Sequence, residues 1–123
     1  MTEDRQRLGR RGEALAAAYL RQRGYRIVRQ NYRTRLGEID IVARDGRTLV
    51  FVEVKVRRSP RFGSAKAAVT AAKRRRISMV ALQYLKTEAD ADAQARFDVV
   101  AVDQTGTEPR LELVQNAFEM AYP

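Results

Sequence analysis

The chain has 123 residues, 45% of them hydrophobic, with 24 Lys plus Arg against 15 Asp plus Glu and neither Cys nor His. That length and apolar content suit one domain with a real core, here expected to span 1–123, and argue against global disorder. Without Cys there is no disulfide, thiol nucleophile or Cys zinc site. Without His, every imidazole base or ligand is excluded, which leaves carboxylates, Lys, hydroxyls or a hard cation held by oxygen.

In chain order, residues 5–22 read as a helix. Leu8, Gly12, Leu15 and Tyr19 form one stripe, and Gly24 ends the helix. Residues 25–32 read as a strand. Residues 38–44 and 47–57 read as two strands around Asp45-Gly46, a tight-hairpin signal. A basic loop, 58–68, holds Pro60 and Gly63. A helix from an N-cap at Thr70 to Lys86 follows, with Ile77, Val80, Ala81, Tyr84 and Leu85 as its apolar stripe. After a loose loop at 87–95 come strands at 96–103 and 110–114. This order of one helix, three strands, one helix and two strands predicts an α/β fold, a mixed sheet flanked by helices. No apolar run reaches the roughly 20 residues of a membrane span. The polar N-terminus reads as lacking a secretory signal, which suits a cytoplasmic protein.

Charge is segregated. Residues 1–76 carry 21 Lys/Arg and 7 Asp/Glu, whereas residues 77–123 carry 3 and 8. Twenty of the basic residues are Arg, which grips phosphate as a bidentate fork. The pattern fits a polyanion partner, nucleic acid before a membrane surface, or else simply a solvated basic face.

A two-residue Asp45-Gly46 turn would place Arg44 opposite Arg47, Asp40 opposite Phe51 and Glu38 opposite Glu53. One hairpin face would then be apolar, with Ile39, Ile41 and Ala43 beside Val50, Val52, Val54 and Val56. The other would show Glu38, Asp40 and Val42 with Phe51, Glu53 and Lys55. Asp40 and Glu53 become diagonal neighbours able to share a divalent cation such as Mg²⁺ (or Mn²⁺). The same pattern also reads as an edge hairpin with its charges in solvent and Lys55 paired to either acid. Glu13, followed by Ala16, Ala17 and Leu20, faces inward on the first helix. It either pairs with an Arg such as Arg10 or reaches the same cation.

The segments Gly37-Glu38-Ile39-Asp40-Ile41-Val42 and Phe51-Val52-Glu53-Val54-Lys55, with Gly9-Arg10-Arg11-Gly12-Glu13 before them, resemble the PD-(D/E)xK nuclease superfamily. More narrowly, they resemble the YraN-like family of small predicted endonucleases, related to archaeal Holliday-junction resolvases. Lys73-Arg74-Arg75-Arg76-Ile77 and Arg96-Phe97-Asp98-Val99 extend the resemblance over nearly the whole chain. It implies the restriction-endonuclease-like fold and Mg²⁺-dependent cleavage of phosphodiesters in DNA. It implies Asp40 and Glu53 as metal ligands, the Val54 carbonyl as a candidate third, and Glu13 as an outer one. Lys55 would orient the attacking water or steady the phosphorane charge. Ile39 stands where the superfamily motif has Pro, and Glu38 has no fixed role there. Arg57, Arg58, Arg61 and Lys66 beyond the hairpin, and Lys73, Arg74, Arg75 and Arg76 at the start of the second helix, are candidate nucleic-acid contacts. Cations crowding a helix start oppose its dipole and fit an external anion. Asp98 and Tyr32 read as structural. A homodimer is suggested only by Phe118, Met120 and Tyr122 in the tail, which equally suit capping of the core. The competing readings are a non-catalytic nucleic-acid binder, and a basic protein that docks on a ribosome or repair complex without metal.

Overall fold

The first apolar stripe builds α1 (Thr2–Gln22). In this computed structural model, residues 2–57, 69–89, 93–104 and 106–121 are described, with side chains from Gly9 onward. Gly24 ends α1 at φ +91°. Its N–H donates to the Arg21 carbonyl, and the Tyr25 N–H donates to that of Leu20. This pair of bonds is a Schellman closure, and the left-handed residue it needs is Gly24. The inward stripe is Gly12, Ala16, Ala17 and Leu20; Leu15 and Tyr19 are only partly buried.

Among the described residues, five strands follow the predicted order: β1 (Arg26–Thr34), β2 (Gly37–Asp45) and β3 (Thr48–Arg57), then β4 (Ala95–Asp103) and β5 (Arg110–Phe118) after the second helix. They lie in the sheet in chain order. β3 and β4 are parallel and every other neighbouring pair is antiparallel. A parallel pair needs a long crossover, and α2 (Ala71–Thr87) lies within it. The Thr70 side chain caps α2, accepting from the Lys73 N–H at 3.2 Å. The architecture is the expected α/β one, a mixed sheet between two helices.

Both faces of the sheet are core. On the α2 side, Ile77, Val80, Ala81, Tyr84 and Leu85 meet Tyr32, Ile39, Val42, Phe51 and Phe97. The Tyr84 ring stands edge-on to Tyr32 and Phe51, with centroids at 5.0 and 5.8 Å. On the α1 side, Ala16, Ala17 and Leu20 meet Ile41, Ala43, Val50, Val52, Val100 and Val102. β5 runs to Phe118, four residues beyond the expected end. Phe118 is buried and stacked on Phe97 at 4.8 Å, and Met120 packs on the same core. These two tail residues therefore cap the core. Tyr122 and the basic loop 58–68 lie outside the described residues.

The hairpin departs from expectation in register. Its loop is Gly46-Arg47, with Gly46 at φ +61°, so Asp45 pairs Thr48 and Ile41 pairs Val52, two residues off the expected alignment. Asp45 lies outside the turn, with its carboxylate accepting from Arg96 Nη2 at 2.9 Å. A shift of two preserves alternation, but alternation itself breaks at Asp40, since Ile39 faces α2 and Ile41 faces α1. Beside this break, β1 holds Asn31 in the left-handed region at φ 55°. Glu38, Asp40, Glu53 and Lys55 therefore do not share one face.

α1 lies close enough to β3 that a Cβ on Gly12 would collide with Val56 Cγ2. Gly12→Ala is expected to push the helix outward and destabilise the protein by about 1–3 kcal/mol. Chemical denaturation measures this; an unchanged midpoint would contradict so close a contact.

Candidate functional site

The site forms where the β2–β3 ladder stops. The paired register ends at Ile41–Val52. Continued one step further, it sets Asp40 directly across from Glu53, closer than the diagonal relation expected. The Asp40 side chain takes up a ladder position, with Oδ2 accepting from the Val54 N–H at 2.8 Å. The N–H and C=O of an extended residue leave by the same edge, so the Val54 carbonyl also faces this gap. The Asp40 and Glu53 carboxyls meet here. Burial first, then sharing of a proton with Glu53, holds Asp40 well above the usual carboxylate range.

Glu53 is only 5% exposed and faces α2, where Lys73 Nζ stands 2.9 Å from Oε2. Burial works against the ammonium, but the Glu53 carboxylate outweighs it and raises Lys73 above its ordinary value. The Lys73 ammonium is thus the group that offsets the buried Glu53 charge. Removing Lys73 would leave that carboxylate buried and uncompensated. Lys73→Met is expected to cost about 1–3 kcal/mol, with Lys73→Arg recovering much of it. Thermal melts of the pair provide the check, and equal melting of Lys73→Met and the parent would refute the ion pair's structural weight.

Glu13 projects from α1 towards β1 and β2. With its nitrogen turned inward, as the two facing acceptors require, the Asn31 amide donates to Glu13 Oε1 at 2.9 Å and to Glu38 Oε1 at 2.8 Å. Burial, and then the Glu38 charge, raise the Glu13 carboxyl above its usual value. Its bonding partner is thus Asn31, a polar residue with poor strand propensity in mid-strand. That mismatch is the one signal in the sequence that could have marked it. Alternation carries Lys55 to the Glu53 side of β3. It is half-buried there and makes no ion pair with another described residue.

Glu38 and Asp40 form a wall between two hollows. The α2-side hollow, about 150 Å³, is bounded by Glu53, Lys73 and Arg76; the α1-side one, about 430 Å³, by Arg10, Glu13, Asn31 and Arg33. Of the other basic candidates, Arg75 and Arg76 are exposed on α2. Arg74 turns inward, donating to the Val69 carbonyl at 3.0 Å and lying over the Phe118 ring. Arg57 ends β3 with Nε and Nη2 buried. Arg58, Arg61 and Lys66 fall outside the described residues.

Among the described residues, no three carboxylates stand close enough to hold an ion by themselves. The donor set still fits a hard cation. Asp40, Glu53 and the Val54 carbonyl offer two acids and a neutral oxygen, and Mg²⁺ keeps its remaining positions for water and phosphate.

Fold and site together define a mixed α/β protein with an acid pair, Glu53 buried and Asp40 half-buried, where its central hairpin opens. The chain belongs to the uncharacterised protein family UPF0102, whose model matches residues 12–102, a span running from Glu13 through Asp40, Glu53 and Lys55 to Lys73. It is 55% identical over 116 residues to a UPF0102 protein of Syntrophus aciditrophicus, covering 94% of this chain and 91% of that one. It is 51% identical to a UPF0102 protein of Geobacter metallireducens, covering 94% of each, and 45% identical to one of Pelotomaculum thermopropionicum, covering 96% and 100%. This is the YraN-like family that the motifs resemble. No helix among the described residues is long and apolar enough to cross a membrane.

Proposed function

We propose that the protein is a Mg²⁺-dependent (or Mn²⁺-dependent) nuclease that hydrolyses phosphodiesters in DNA, directed by structure or ends instead of base sequence. The observation that carries this reading is the Asp40–Glu53 pair. Glu53 is buried and Asp40 half-buried against it, with Asp40 pushed towards its neutral form, and a divalent cation would offset two carboxylates so close together. Asp40, Glu53 and the Val54 carbonyl would hold that cation, which when bound neutralises charge on the transferring phosphoryl group. The Val54 N–H fixes the Asp40 carboxylate, and Lys73 neutralises Glu53. Lys55, on the Glu53 side of β3, would orient water or offset phosphorane charge. Glu13 and Asn31 close the α1 side and support the site from outside. With so small a structure, phosphate contacts supply the grip.

Incubation with linear, single-stranded, flapped and four-way-junction DNA, with and without Mg²⁺ or Mn²⁺, tests the proposal. Metal-dependent cutting of at least one substrate is expected. Salt-sensitive retention of DNA with no cutting of any substrate would identify a non-catalytic binder instead. Absence of both would point to a docking protein.

A further inference from the structure

We infer that the α1-side hollow is a strand-binding subsite, which takes a phosphodiester group of the DNA next to the one that lies over Asp40 and holds it on Arg10 and Arg33. The inference rests on the nuclease reading of the site and adds where the strand lies.

Size and continuity favour this hollow. At about 430 Å³ it falls within the range of roughly 300–1,000 Å³ that accommodates small ligands, whereas the α2-side hollow of about 150 Å³ does not. Asp40 borders both, so a strand seated on the α1 side comes directly against the acid pair.

Charge favours it as well. Between Glu13 and Glu38 the chain carries six Arg (21, 23, 26, 29, 33 and 35) and no acid. Four of these belong to β1 or the turn after it and all four are exposed; Arg29 is paired to Glu88 at 2.9 Å, which leaves Arg26, Arg33 and Arg35 for the rim. β1 is an edge strand, so its outer margin is uncovered by any strand among the described residues. It forms a basic rim roughly 30 Å long leading to the hollow. On the α2 side, Lys73 is committed to Glu53 and Arg74 to Val69 and Phe118, which among the described residues leaves only Arg76 exposed at the edge of the smaller hollow.

Arg33 is free to exchange partners. Its pairing with Glu38 is long, at 3.5 Å, and its side chain is 75% exposed. Such surface pairs are weak, whereas Arg–phosphate contacts are bidentate and stronger. The acids in the same hollow, Glu13 and Glu38, keep an unaccompanied phosphate from settling deeper and leave the two Arg as its holding points. Their opposing charge is partly met by the Asn31 amide.

The test is DNA binding by fluorescence anisotropy across a salt series, with a labelled duplex and its single strand. All variants carry Asp40→Asn, so that cutting does not enter the readout. Arg10→Ala with Arg33→Ala is expected to weaken binding at least tenfold. The salt dependence should become shallower by about 0.9 per lost phosphate contact on duplex and about 0.7 on single strand. Arg110→Ala, exposed on the opposite edge strand, is the comparison and should change neither. Equal loss in Arg110→Ala, an unmoved slope in the double variant, or no binding by the parent would each overturn the subsite. The two readings fail separately. Cutting that is absent from the unsubstituted chain while Arg10 and Arg33 still set the slope defeats only the nuclease reading. Cutting with an unmoved slope defeats only the subsite.

Discussion

Asp40→Asn and Glu53→Gln are each expected to reduce metal-dependent cutting by about 10³-fold or more, equivalent to ~4 kcal/mol of transition-state stabilisation. Their effects on stability should differ, and that difference tests the geometry independently of any activity. In Asp40→Asn, the side-chain oxygen still accepts the Val54 N–H and the new amide donates to Glu53. A half-buried carboxyl that its surroundings push towards the neutral form is gone. Burial and the proton shared with Glu53 raise Asp40, so its favourable contribution is full below the unfolded value of about 3.9 and is lost as pH rises through the folded value. Without metal, Asp40→Asn should therefore melt higher than the parent at pH 8, with the gap closing towards pH 4. A gain of about 1 kcal/mol corresponds to roughly 4 °C for a chain of this size. Glu53→Gln leaves Lys73 without its counter-ion, but that side chain is 43% exposed and reaches water, so little stability should change. Calorimetry in EDTA at the two pH values measures both. Identical pH profiles for parent and Asp40→Asn would contradict a raised Asp40.

The largest loss of stability is expected far from the site. Asp98 is fully buried, and both of its oxygens are doubly used. Oδ1 accepts from Arg96 Nε and the Asn116 N–H, each at 2.9 Å; Oδ2 accepts from Tyr25 O–H at 2.7 Å and Arg96 Nη2 at 3.1 Å. Arg96 Nη2 also reaches Asp45 and the Tyr25 hydroxyl, which in turn accepts from Gln115. The network joins residues of β2, β4 and β5 to the residue just ahead of β1. Hydrogen bonds to Asp98 hold the Arg96 guanidinium above its ordinary value, and burial followed by Asp98 pushes the Tyr25 phenol up to about 12. No oxygen of Asp98 can be exchanged for an amide nitrogen without turning a donor against donors. Asp98→Asn should cost about 3 kcal/mol and Asp98→Ala about 3–5 kcal/mol, a large share of the total for one domain. Urea denaturation checks this; a cost under about 1 kcal/mol for either would show that the network is not essential. Tyr25→Phe, which removes one donor, should cost only about 1–2 kcal/mol.

Much of this fold is legible in the amino-acid sequence. Hydrophobic period, caps and turn residues locate both helices and all five strands, because those signals act within a few residues of themselves. The apolar stripe of α2, the Thr70 cap and the Gly24 stop lie where local chemistry puts them. The absence of His and Cys leaves carboxylates, Lys, hydroxyls or a hard cation for any chemistry, and alternation along the hairpin brings Asp40 and Glu53 forward as a candidate pair, though on a register two residues off. Tertiary structure decides what depends on distant partners. Asp45 pairs with Thr48 outside the turn and bonds Arg96, 51 residues along the chain, on a hairpin register two residues from the one expected. The left-handed Asn31 on the neighbouring strand lies beside the break in alternation at Asp40, which turns Glu38 towards α1 and leaves Glu53 facing α2. Lys73, by its sequence one of a run of surface cations, becomes the counter-ion of a buried acid only because the parallel crossover lays α2 over β3. Composition determines which chemical groups are available; long-range contacts determine which of them meet, because an ion pair or a shared proton depends on separation in space and not along the chain.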